Sequence, residues 1–60
     1  MYHIAIGTGH GVFYVWGDEQ RVRHEIKHLP AGWSITIWEY ADGDRNNPLR
    51  RCNVNEFKEV

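Results

Sequence analysis

The chain holds a single cysteine, Cys52, so no disulfide can form within it. No apolar run approaches the roughly 20 residues that a membrane helix requires, and none resembles an export signal. One thiol and no such signal fit a protein made and kept in a reducing cytoplasm. Neither sign of charge dominates, because the formal net charge is only −1. That is too weakly acidic to imitate DNA and too weakly basic to coat nucleic acid generally. Internal repeats and low-complexity linkers are also missing, and 60 residues leave room for one domain, residues 1–60.

What the chain does have is rings: three Trp, three Tyr and two Phe. A domain this short buries only about 60% of the surface its unfolded form exposes. It must therefore draw stability from a disulfide, a metal, a partner or dense packing. With the disulfide excluded, aromatic packing is the route the composition favours, and Cys52 reads as a small buried hydrophobe.

Alternation organises the first half. YHIAI (residues 2–6) sets Tyr2, Ile4 and Ile6 against His3 and Ala5, which is a strand pattern. GTGHG (7–11) is a turn, since glycine tolerates tight hairpin geometry. VFYVW (12–16) is wholly β-branched or aromatic and reads as the second strand of a hairpin. A helix follows, with Asp18 as N-cap and Glu19 in the first turn, where the helix dipole favours negative charge. Val22, Ile26 and Leu29 form one narrow apolar stripe on it, and Pro30 and Gly32 end it. WSITIWEY (33–40) alternates again as a third strand. ADGDRNNP is rich in turn formers, and LRRCNVNEF (49–57) is a weaker fourth strand with Cys52 and Val54 on one side.

The fold class expected is α+β: a two-layer ββαβ, or ββαββ if residues 49–57 pair, with one helix on an antiparallel-rich sheet. A single helix covers only one face of a sheet. If Ile4, Ile6, Ile35 and Ile37 meet the helical stripe, the opposite face displays His3, Ala5, Thr36, Trp38 and Tyr40. Phe13 or Tyr14 joins them according to the hairpin register. Trp and Tyr are enriched among interface hot spots, and small monomers seldom leave such a patch in water. Trp38, Tyr40, Phe13 and Thr36 are thus the candidate partner-binding residues. A covering C-terminal segment and a homodimer are the competing explanations of the patch.

HEIKH (24–28) has the His-Glu-x-x-His form of zinc hydrolases, in which two imidazoles one helical turn apart share a metal. The apolar stripe opposes that reading. At about 100° per residue, His24 and His28 point away from Ile26 and the core. No third ligand is forced to that side, and a chain this short has little material for a substrate cleft. The motif reads as coincidence, with no enzyme activity, metal or cofactor expected. GTGHG is likewise no phosphate loop, because a strand follows it rather than a helix N-terminus. The outer helix face (Arg21, Arg23, His24, Lys27, His28) is an alternative docking surface for nucleic acid, and Arg45 with LRR (49–51) adds a smaller basic cluster.

LPAGWSIT (29–36) resembles the family of small inhibitors that T-odd coliphages direct against their host's RNA polymerase. That family also shows an apolar residue, Pro-Ala-Gly, an aromatic, a polar residue, an aliphatic and Thr between a helix and its last main strand. The order hairpin, helix, turn and strand is similar as well. The family's arginines just after the Thr are replaced here by Ile37 and Glu39, and its acidic helix by a basic one. The resemblance implies a tiny phage or mobile-element protein that binds a bacterial host complex and disables it, in transcription or in defence, as CRISPR inhibitors do.

Overall fold

A computed structural model describes residues 1–58. The chain forms an α+β fold in which one helix packs on a four-stranded antiparallel sheet of order β2-β1-β3-β4. Strands β1 (Tyr2–Thr8) and β2 (Gly11–Gly17) make the hairpin. Only Gly9 and His10 form its turn, which the Thr8 side chain closes. The Thr8 hydroxyl accepts from the His10 N–H at 3.1 Å and donates to the Gly11 carbonyl at 3.0 Å.

Helix α1 (Glu19–Lys27) starts where Asp18 caps it, its Oδ1 accepting the Arg21 N–H at 2.9 Å. Such a cap is worth about 1 kcal/mol. Strand β3 (Ser34–Tyr40) then returns along the far side of β1, so the first strand of the chain lies in the interior of the sheet. Strand β4 (Pro48–Cys52) completes the sheet, with an irregularity opposite Glu39 and Tyr40.

The core lies between α1 and one face of the sheet. Ile4, Ile6, Val22 and Ile37 are at most 1% exposed there, and Cys52 and Phe57 are buried beside them. Each such aliphatic side chain contributes on the order of 1.5–3 kcal/mol by leaving water. Ile26, Leu29 and Ile35 pack against this cluster from its margin.

The C-terminal segment departs from the single strand expected over residues 49–57. Pairing stops at Cys52, and Val54–Phe57 coils into a 3₁₀ turn. A reciprocal cap explains the break: the Asn53 side chain accepts the Asn55 N–H at 2.9 Å, and Glu56 accepts the Asn53 N–H at 2.8 Å. The turn drops Phe57 onto the helix side, where its ring meets the edge of Tyr2 at 5.3 Å. Val54 reaches the core margin from this turn rather than as a strand neighbour of Cys52.

Arg50 latches the turn to the sheet. Its guanidinium donates to Glu39 at 2.8 Å and to both oxygens of Glu56 at 2.7 and 3.0 Å. The same bonds hold the Glu56 carboxyl down at about 2. Burial pushes the Cys52 thiol above its ordinary range, as fits a packed rather than a reactive cysteine.

Candidate interaction face

The sheet face opposite α1 is the site the architecture leaves uncovered. The helix and the 3₁₀ turn are both on the other side, and over this face the loop bearing Arg45 reaches only the margin at Trp16. Its centre is His3 on β1. Register places Trp16 of β2 on one side of His3 and Trp38 of β3 on the other, with Ala5 between Tyr14 and Thr36 one step along.

The rings pack laterally around that imidazole. His3 stacks on Trp16 with centroids 4.3 Å apart and planes at 16°, and on Tyr14 at 5.2 Å and 22°. Trp38 lies 6.0 Å from it and Tyr40 6.1 Å, while Trp16 and Tyr40 meet edge to face at 4.9 Å. Ring pairs of this kind are worth about 0.5–1.5 kcal/mol beyond their burial. They hold the side chains in place before any partner arrives, so less ordering entropy is lost on binding.

Two guanidiniums flank the cluster. Arg51 stands opposite Trp38 in the β3–β4 pair, and Arg45 lies over the Trp16 ring at 5.1 Å. The loop that carries Arg45 is fixed by its own bonds. Gly43 takes φ +80° in the Ala41–Asp44 turn, a conformation natural only to glycine. Asp44 accepts the Asn46 N–H at 2.9 Å, and that bond lowers its carboxyl from the usual range.

The face narrows to small side chains at its other end. Ala5 and Gly7 lie along β1, and a Cβ on Gly7 would meet the Ser34 hydroxyl at 2.5 Å. The result is a ridge of rings beside a shallow floor.

Of the four residues expected here, the structure brings Trp38, Tyr40 and Thr36 to this face. Phe13 is not among them. It pairs with Ile6 and therefore points to the helix side, where it meets Trp33 edge to face at 6.2 Å. Tyr14 takes its place. His3 and Trp16 complete the cluster, and their alternation with Ile4 and Val15 is the signal that finds them. Arg45 has no such signal, since a loop places it.

The outer helix face carries less free charge than its letters suggest. Arg21 is paired with Glu25 at 2.8 Å and Arg23 with Glu19 at 3.0 Å. His24 and His28 lie side by side with ring centroids 4.5 Å apart, but Glu25 faces its arginine. Among the described residues no three His, Cys, Asp or Glu side chains gather as a metal cluster. No described helix is long and apolar enough to cross a membrane. Comparison with family models, curated proteins and solved structures finds no match for the chain.

Proposed function

We propose that this chain is a small non-enzymatic protein of phage or mobile-element type. It binds and inhibits a bacterial host protein complex in the host cytoplasm, within transcription or defence machinery such as RNA polymerase or a CRISPR effector. The observation that carries the reading is the preassembled ring cluster around His3, left open while the Val54–Phe57 turn packs on the helix side. Rigid Trp and Tyr side chains with an arginine rim are what interface hot spots are made of. Arg45 and Arg51 call for acidic groups around the partner's apolar centre. The likeness of LPAGWSIT to the polymerase inhibitors supplies the phage class and the host target.

No observation favours nucleic acid equally. Arg21 and Arg23 are engaged by carboxylates on their own helix. On the sheet, His3 and Arg45 already occupy Trp16, where a base would need an open ring to stack.

The test is affinity capture from nuclease-treated bacterial lysate, run in parallel with wild type and the Trp38→Glu/Tyr40→Glu double variant. A stoichiometric complex held by wild type and weakened about a hundredfold or more in the folded variant is the expected result. Undiminished capture by the variant would exclude this face. Capture that vanishes with nuclease would return the helix residues Arg21, Arg23 and Lys27 to first place.

A further inference from the structure

The two edges of the sheet are built differently. On the β4 edge Pro48 lacks a donor, Arg50 and Arg51 carry charge, and the pairing with β3 is irregular. These are the usual devices that stop a sheet from adding another strand. The β2 edge has none of them. Gly11–Gly17 reads GVFYVWG, without a charge, a proline or a bulge, and among the described residues nothing pairs with its outer side. Val12 is 57% exposed, Phe13 45% and Tyr14 61%.

We propose that the β2 edge is a homodimer contact, occupied by β2 of a second copy in antiparallel register about a two-fold axis at Tyr14. The strand complements itself in that register. Tyr14 faces its own counterpart, Phe13 faces Val15, Val12 faces Trp16, and glycines face each other at both ends. Every pair between the glycines is aromatic with β-branched or aromatic with aromatic, the cross-strand combinations that stabilise sheets. Without charge on the strand, the axis brings no like charges together. A self-complementary patch of this kind is what a two-fold interface requires. The β4 edge fails the same test, since an axis at its central residue, Arg50, would set that arginine against its own copy.

Pairing keeps the parity of every residue, so it extends both faces of the sheet. Phe13 and Trp33 continue the helix side across the axis. On the other side the two His3 clusters join one surface, with the β1 strands about 14 Å apart, three strand spacings. The inference does not depend on the inhibitor reading, for Trp38 and Tyr40 lie away from the axis and are unchanged by it.

Sedimentation equilibrium over a wide concentration range reads the assembly directly. Wild type is expected to reach twice the 7.1 kDa chain mass and to dissociate on dilution, as a contact one strand wide is smaller than a standard interface. Tyr14→Lys, with its fold checked by circular dichroism, is expected to weaken the dimer at least a hundredfold by placing like charges on the axis. Leu49→Lys on the guarded edge is expected to leave it intact. As a test of register, Tyr14→Cys is expected to oxidise to a linked dimer, because residues facing each other on paired strands lie within disulfide reach. A wild type that remains monomeric at the highest concentration overturns the proposal. So does a dimer that Tyr14→Lys leaves unchanged.

Discussion

Beneath the helix the centre of the sheet is aliphatic and sealed, while the opposite face is aromatic and open, though alternate residues of the same strands build both. Ile4, Ile6 and Ile37 are lost to solvent because Val22 and Phe57 lie on top of them. His3, Trp16, Trp38 and Tyr40 are only half-buried, and their neighbours in the plane account for it. The first kind of burial is made by folding and is complete. The second leaves part of each ring in water, so a partner can gain from covering it without displacing any part of the fold. The difference separates residues that keep the chain folded from residues free to serve a contact.

Breaking each face in turn exposes that division. Ile37→Ala, at a position with no exposure, is expected to cost about 2–5 kcal/mol in urea denaturation, a large share of a small domain's stability. Trp38→Ala, the next residue along the same strand, is expected to cost less than half as much despite removing a larger side chain. Equal losses would mean that the open face is as structural as the sealed one.

A smaller effect belongs to the latch at the margin of the helix side. The Glu56 carboxyl sits at about 2 in the folded chain against an ordinary 4.5, chiefly through Arg50. A lowered folded value means that the unfolded chain binds the proton more readily. The stabilisation is therefore complete above about pH 4.5 and drains away as pH falls towards 2. Glu56→Gln is expected to flatten thermal stability across that window relative to wild type, and an unchanged acid profile would show that the latch is idle. Smallest of all is the outer helix face. His24→Ala/His28→Ala is expected to shift stability by less than about 0.5 kcal/mol, as exposed substitutions usually do. A larger loss, or a melting point that rises with added zinc in wild type alone, would give HEIKH a role.

Much of this arrangement is legible in the letters. The alternation of Ile4, Ile6, Ile35 and Ile37 and the Val22, Ile26, Leu29 stripe are local patterns, and local patterns survive folding when the core they imply is consistent. Asp18 caps its helix because an N-cap needs only the next turn of backbone. The choice between Phe13 and Tyr14 was of another kind. GTGHG contains three glycines and permits several turns, and the Thr8 hydroxyl selects the one centred on Gly9 and His10. A shift of one residue exchanges every side chain between faces, so that single hydroxyl places Trp16 beside His3. The seat of Phe57 on Tyr2 and of Arg45 on Trp16 joins residues far apart in the chain. No window along the sequence contains such pairs.

The interior position of β1 has a kinetic consequence. It meets β2 across a two-residue turn, but it meets β3 only after the helix has been crossed. A hairpin closes in about 1–10 μs, whereas the β3 pairing must first bring together ends separated by a long loop. The hairpin thus stands ready as a template, and the slow event is the arrival of β3 on the free side of β1 with α1 folding down over the seam. Both later additions, β4 and the turn bearing Phe57, need β3 to be in place. On this topology assembly is expected to run outwards from β1.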